Sequence, residues 1–138
     1  MSDRVFTTPK EAEDAFYQAF EKADLDAMMH VWLKADYVEC IHPMSNRLLG
    51  LDAIRDSWQE IFSNNTGVEF ATIETRQLKQ SDLAIHVVNE SLKIQGKPPA
   101  IILATNIYEK TATGWHMILH HASPAPRHIT NKPAATLH

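Results

Sequence analysis

The spacing of apolar residues changes near the middle of the chain, from a helical period to a strand period. Before residue 63, apolar residues recur at intervals of three and four, which is typical of amphipathic helices. The pattern predicts a first helix at residues 9–23, with Thr8 as its N-cap, and a second, shorter helix at residues 24–32. A third helix is predicted to begin near Asp52.

Beyond a polar loop at residues 63–67, β-branched residues become frequent and apolar positions alternate with polar ones. Turn sequences divide this half into four predicted strands, at residues 68–79, 83–94, 100–109 and 115–122. Long strands joined by short turns form an antiparallel meander. A run of helices followed by a run of strands predicts an α+β domain, with the helices packed on one face of the sheet.

The same pattern divides the chain into a leader, one domain and a tail. Residues 1–8 precede the first helix and are expected to be loose. Residues 9–122 are expected to form a single domain, which is long enough for a substantial core. Residues 123–138 contain three prolines and little apolar content, so we expect a surface arm or a disordered tail there.

A short predicted strand at residues 38–42 carries the strongest chemical signal in the sequence. Pro43 ends its ladder of hydrogen bonds. Val38, Cys40 and His42 share one face of the strand, and the first two suit a core. We therefore expect His42 to point inward, as a titratable ring at the mouth of an apolar interior. The simpler alternative is that His42 only hydrogen-bonds a backbone carbonyl at the end of the strand.

The alternation within two of the long strands indicates which other polar residues face the interior. At residues 83–94 the odd-numbered positions are the more apolar, so Asn89 is expected inside, and His86 and Glu90 outside. In the last strand the bulky apolar residues share a face with His121, which places His121 inside. The aromatic residues expected beside these polar groups, as a wall for a bound molecule, are Trp32, Trp58 and Phe16 or Tyr17.

The order of these elements resembles a known superfamily. A strand ends in a polar residue and Pro43, a turn and Gly50 follow, and a helix opens with the run Ala-Ile-Arg at 53–55. Together with residues 23–28 and the final strand at 115–124, this arrangement resembles the NTF2-like superfamily and, within it, the SnoaL-like proteins. The resemblance implies a strongly curved antiparallel sheet wrapped into a cone, with the N-terminal helices packed on it and a pocket between them.

The resemblance also implies roles for particular residues. The superfamily includes ketosteroid isomerases, SnoaL-type polyketide cyclases and scytalone dehydratase. In the isomerases and cyclases a catalytic carboxylate stands before the proline, where this chain has His42. The tyrosine that stabilises the enolate in the isomerases would fall close to Phe16, with Tyr17 next to it. A pocket that contains histidines is closer in kind to scytalone dehydratase, which uses histidines with a water molecule.

Composition and charge exclude several classes of function. The net charge of −4 and a pI near 6.0 argue against a protein that binds nucleic acid or an anionic membrane. The one cysteine, Cys40, is expected to be a buried thiol, and no Cys/His spacing of a zinc site occurs, so neither a metal nor a cofactor is expected. No signal stretch and no run of membrane-spanning length occurs, which predicts a cytoplasmic location.

Two functions remain open on the sequence. The first is a cofactor-independent pocket protein that binds a small apolar or aromatic molecule and could isomerise, cyclise or dehydrate it. His42 would be its general base, with His121 or Asn89 orienting substrate or water. The second is a non-catalytic dimeric interaction module whose cone is filled by its own side chains. Residues 100–109 are apolar on both faces, which predicts a homodimer that covers the outer face of the sheet.

Overall fold

The structure is a computed structural model, and it describes residues 4–64, 68–94 and 96–125. Its elements in chain order are α1 (Pro9–Lys22), α2 (Leu25–Val31), β1 (Glu39–Ile41), β2 (Arg47–Leu49), α3 (Leu51–Ser63), β3 (Val68–Gln80), β4 (Leu83–Ile94), β5 (Ala100–Thr111) and β6 (Gly114–Pro124). The last strand extends into the segment expected to be a tail, and the remainder of that tail, residues 126–138, lies outside the described residues.

Local sequence signals set the ends of the first two helices. Thr8 caps α1, because its side-chain oxygen accepts a hydrogen bond from the backbone N–H of Glu11 at 3.1 Å. Ala23 adopts a left-handed conformation and ends α1. Asp24 then caps α2 by accepting from the N–H of Ala27 at 3.1 Å. The three predicted helices are confirmed, each within about two residues of the predicted ends.

Six strands form one sheet in the order β2-β1-β6-β5-β4-β3. The predicted antiparallel meander of β3, β4, β5 and β6 is confirmed. β1 pairs with β6 in parallel, with Ile41 opposite His121, and β2 pairs antiparallel with β1. This parallel pairing places the residue after β1, which is His42, beside the C-terminal half of β6.

Large side chains fill the space between the helices and the sheet. Trp32, Trp58 and Trp115 are at most 2% exposed, and Phe16 and Tyr108 are completely buried. Burial of a large apolar side chain stabilises a fold by about 1.5–3 kcal/mol. The helices are therefore held to the sheet mainly by the packing of aromatic rings.

The described part of the N-terminal leader is packed against the domain. Phe6 is 1% exposed, and its carbonyl oxygen accepts a hydrogen bond from the N–H of Trp115 at 2.9 Å. Gly114 makes this approach possible, since a Cβ atom there would lie 2.7 Å from the oxygen of Phe6. The expectation of a loose leader is wrong from Arg4 onward, because one buried aromatic ring anchors the segment.

Candidate functional site

His42 lies just after β1, half-buried, with its ring against that of Trp58 at 4.8 Å between centroids. Its Nε2 atom is 3.0 Å from the hydroxyl of Ser57 and 3.6 Å from the sulfur of Cys40. The hydroxyl of Ser57 already donates its hydrogen to the carbonyl of Ile54 at 2.7 Å. His42 Nε2 therefore carries the hydrogen and donates to Ser57, which leaves Nδ1 as a hydrogen-bond acceptor.

Burial lowers the pKa of His42 to about 4. The ring is consequently neutral near pH 7. A general base is most effective when its pKa lies near the working pH, so a histidine with this pKa is a weak base for proton abstraction. The position before Pro43 thus holds a neutral hydrogen-bonding group in this chain.

The prediction that His121 faces the interior is wrong. The pairing of β5 with β6 shifts between Ile107 and Tyr108, so that Ile118 is an extra residue in β6. This bulge reverses the alternation of the strand beyond it. His121 is therefore exposed, and His120 is the buried imidazole, at 1% exposure.

The prediction that Asn89 faces the interior is also wrong. In β4 the even-numbered residues are buried, including His86 and Glu90, while Asn89 lies on the outer face and is half-buried. The two polar side chains tolerate burial because Tyr17 and Glu13, both of α1, form hydrogen bonds with them. The more apolar set of β4 side chains is left on the outer face of the sheet.

A chain of four buried polar residues crosses the interior. The hydroxyl of Tyr17 donates to the carboxylate of Glu90 at 2.6 Å, and the amide nitrogen of Asn106 donates to the Tyr17 oxygen at 3.0 Å. The ring nitrogen Nδ1 of His120 lies 2.6 Å from the amide oxygen of Asn106. Tyr17 was expected to line the site, whereas the other three residues were not identified from the sequence.

Burial sets the protonation states along this chain. It raises the pKa of Glu90 to about 7, although the hydroxyl of Tyr17 opposes the change by bonding the carboxylate. It raises the pKa of Tyr17 far above its ordinary value, with the charge of Glu90 adding to the effect. It lowers the pKa of His120 to about 3. Near neutral pH His42 and His120 are neutral, and Glu90 is the member of the four-residue polar chain that titrates.

A second buried polar group lies beside the first. His86 Nδ1 is 2.9 Å from the carboxylate of Glu13, and the hydroxyl of Tyr108 donates to the same oxygen at 3.2 Å. All three side chains are at most 3% exposed. Glu13 belongs to α1, so the two groups together tie this helix to the sheet.

An aromatic cluster surrounds the two imidazoles. Its five rings, which form a chain of contacts with centroid distances of 4.2–6.3 Å, are Phe16, Phe20, Trp58, Phe62 and Phe70. His42 packs on Trp58, and His120 lies 4.8 Å from Phe16 and 6.2 Å from Trp58. The indole Nε1 of Trp58 is buried and has no hydrogen-bond partner among the described residues.

The structure thus brings together four of the predicted residues, namely His42, Phe16, Trp58 and, through the polar chain, Tyr17. Trp32 is completely buried, and its backbone bridges to Met117 of β6. No ring contact within the described ranges joins Trp32 to His42. The predicted aromatic residues that lie near His42 therefore all belong to α1 and α3.

Two cavities of the described structure lie elsewhere. One of about 570 Å³ lies between the start of the chain, α1 and α2, and its lining includes Phe6, Ala19 and His30. The other, of about 500 Å³, is lined by Lys34, Gly50 and neighbouring residues. Neither is lined by His42, Trp58 or His120.

Neither a metal-binding cluster nor a membrane-spanning helix occurs within the described ranges. No three His, Cys, Asp or Glu side chains of residues 4–64, 68–94 and 96–125 are grouped so that they could hold a metal ion. Within the same residues, no helix combines the length and the apolar character needed to cross a membrane.

Comparison with known proteins identifies the family to which this fold belongs. The family model of the SnoaL-like domain matches residues 10–127. A protein from Thiobacillus denitrificans, described as a candidate calcium/calmodulin-dependent protein kinase type II association domain, is 43% identical, with a TM-score of 0.85 over 89% of this chain and 99% of that one. A candidate dehydratase of the NTF2-like family from Streptomyces avermitilis is 28% identical, with a TM-score of 0.76 over 83% of this chain and 91% of that one.

A curated relative carries the same domain within a longer protein. The F-box protein SKIP8 of Arabidopsis thaliana is 34% identical over 110 residues, which are 78% of this chain and 46% of the relative. The chain therefore spans about half the length of that relative. These likenesses confirm the predicted α+β cone of the pocket type, with helices on a sheet that is antiparallel except for the parallel pairing of β1 with β6. The chain belongs to the SnoaL-like domain family of the NTF2-like superfamily.

Proposed function

We propose that this domain is a non-catalytic self-association module, which forms a homodimer through the outer face of its sheet. The observation that carries the proposal is the apolar character of that face. Among the described residues, five large apolar side chains on it are exposed, namely Ile73, Leu78, Leu83, Ile101 and Leu103. An exposed apolar surface that is contiguous marks a site of interaction in a soluble protein.

The register of the strands makes this surface continuous. Leu78, Ile85, Ile107 and Leu119 stand opposite one another across β3, β4, β5 and β6. Four strands at about 4.8 Å spacing give the width of this surface, and ten residues at about 3.3 Å rise give its length. The projected area is therefore roughly 600 Å². Side-chain relief enlarges the accessible area toward the roughly 800 Å² per partner that a standard interface buries.

A second copy of the chain is the partner that suits this face. A row of apolar residues across four strands is complementary to itself under a two-fold rotation, as an isologous interface requires. The Thiobacillus relative matches over 89% of this chain and is described as an association domain. SKIP8 carries the domain next to further sequence, which suits a module that brings other parts of a protein together.

The interior supports the non-catalytic part of the proposal. The rings of Phe16, Trp58 and His120 pack against one another and are at most 1% exposed, so this part of the interior is filled by side chains of the protein itself. His42 and His120 are neutral at pH 7 and too weakly basic to remove a proton efficiently.

The proposal is tested by placing a charge in the outer face. Leu103→Lys is expected to give a folded monomer, because an ammonium group in an apolar interface is left without a partner. Met44→Lys is the control, since Met44 is also an exposed large apolar residue but lies in the turn between β1 and β2, outside the four strands of this face. A folded Leu103→Lys protein with the same mass by light scattering as the control would contradict the proposal.

A second candidate function is the binding of a small apolar or aromatic molecule at the aromatic cluster. The buried, unpartnered N–H of Trp58 favours it, because buried donors in proteins are nearly always satisfied. Phe20, Phe62 and Phe70 are only half-buried and leave ring surface at the edge of the cluster. A screen of small aromatic compounds by thermal shift tests this, with Trp58→Phe as the variant that keeps a ring but removes the donor. Hits that stabilise both proteins equally would exclude a role for the indole.

A further inference from the structure

When Glu90 is ionised, the polar chain from Glu90 to His120 has one direction, which follows from hydrogen-bond chemistry. An ionised carboxylate can only accept, so Tyr17 must donate its one hydrogen to Glu90. The Tyr17 oxygen then accepts from the NH₂ group of Asn106, as the 3.0 Å contact shows. The amide oxygen of Asn106 is left to face His120, so His120 must carry its hydrogen on Nδ1. Its Nε2 atom is consequently a bare acceptor.

The opposite direction requires a proton on Glu90. A carboxylic acid could donate to Tyr17, Tyr17 to a rotated Asn106 amide, and that amide to Nδ1 of His120. Nε2 of His120 would then carry the hydrogen. Among the described residues, the charged group that acts on Glu90 is another carboxylate, that of Glu13, which lies 2.9 Å from His86. Protonation of Glu90 therefore determines whether Nε2 of His120 is a hydrogen-bond donor or an acceptor.

The imidazole ring that carries this atom lies within the aromatic cluster. Nδ1 of His120 faces Asn106, and the ring also lies 4.8 Å from Phe16, 6.2 Å from Trp58 and 6.4 Å from His42. His42 likewise keeps a bare acceptor at Nδ1, because its Nε2 donates to Ser57. With Glu90 ionised, both imidazoles beside the cluster thus present lone pairs.

We propose that this directed chain makes the aromatic cluster a site for small aromatic molecules that bear an O–H or N–H donor, and that Glu90 is the positioning residue that sets this preference through His120. The proposal rests on the second candidate function, since it names the class of ligand for the same cluster. A ligand with only acceptors would place its oxygen against bare ring nitrogens, which is unfavourable when both are buried. Phenols and N–H heteroaromatic rings fit, whereas their methyl ethers do not.

The direction of the chain is measured first, without any ligand. Long-range ¹H–¹⁵N NMR distinguishes the nitrogen that carries hydrogen in each neutral imidazole. At about pH 9, where Glu90 is ionised, His120 is expected as the Nδ1–H tautomer. In Glu90→Gln, whose amide can also donate to Tyr17, the Nε2–H tautomer is expected to become populated. An Nε2–H tautomer in the unmodified protein at this pH, or no change in Glu90→Gln, would overturn the proposal.

The preference for donors is measured with a matched pair of probes, 4-fluorophenol and 4-fluoroanisole, followed by ¹⁹F NMR at the same pH. The phenol is expected to bind at least about tenfold more tightly than the ether, and His120→Phe is expected to remove the difference. Equal binding of the two probes to the unmodified protein would refute the ligand class while leaving the binding site itself intact. Absence of binding by both at millimolar concentration would instead refute the second candidate function and, with it, this ligand class.

Discussion

The buried carboxyl of Glu90 gives the protein a characteristic dependence of stability on pH. Its pKa is raised from an ordinary value of 4.5 to about 7, chiefly by burial. The folded state therefore holds this proton more tightly than the unfolded state does. The stabilisation is fully present below pH 4.5 and is lost as the pH rises through about 7. The difference between the two values corresponds to about 3 kcal/mol of unfolding free energy.

Glu90→Gln isolates this contribution. The amide does not titrate, and its oxygen can still accept the hydrogen of Tyr17. Urea unfolding of both proteins at several values of pH gives the difference in their unfolding free energies. The inner histidines titrate in an overlapping range, but they are present in both proteins and largely cancel in the difference.

The expected result is that the difference in unfolding free energy between the two proteins changes in one direction only as the pH rises. Relative to Glu90→Gln, the unmodified protein is expected to lose up to about 3 kcal/mol between about pH 4.5 and pH 7.5 and to change little above that range. The absolute offset between the two proteins is not diagnostic, whereas this slope is. A difference that stays flat across the range, or that rises with pH, would refute the account of Glu90 as a buried carboxyl with a raised pKa.

Three further changes test other parts of the structure. Because burial lowers the pKa of His42 from 6.5 to about 4, the unmodified protein should lose up to about 3 kcal/mol of unfolding free energy relative to His42→Asn on acidification from pH 6.5 to 4, and a difference that stays flat in the same urea assay would contradict this. Met44 has a left-handed backbone with φ 63° and is 91% exposed, so Met44→Asn should raise the thermal midpoint by relieving up to about 1 kcal/mol of strain, and a lower midpoint would contradict this. Gly114 has φ 101° and no room for a Cβ beside Phe6, so Gly114→Ala should lower the unfolding free energy by about 2 kcal/mol or more, and an unchanged midpoint would show that the N-terminal segment adapts freely.

The elements of the fold could be predicted because their signals are local. Thr8 and Asp24 cap the helices with their own side chains, and the turns between the long strands contain their typical polar residues. The position of His42 at the end of a short strand was likewise readable from Pro43. Whether His42 can act as a base could not be predicted from the sequence, because its pKa depends on burial beneath Trp58, a residue of another element.

The faces of β4 and β6 could not be predicted from apolar content alone. Glu90 is buried because Tyr17, which is 73 residues away in the sequence, bonds it. The outer face is apolar enough to mislead a count of hydrophobic positions, and this is the same property that supports an interface there. In β6 no glycine or proline marks the extra residue Ile118 in the sequence. The bulge at Ile118 nevertheless turns His120 toward the interior in place of His121.

The mass of the unmodified protein in solution tests the central claim most directly. Light scattering on a sizing column should give twice the 15.6 kDa of the chain across micromolar concentrations. A mass of 15.6 kDa throughout that range would contradict self-association through the outer face of the sheet.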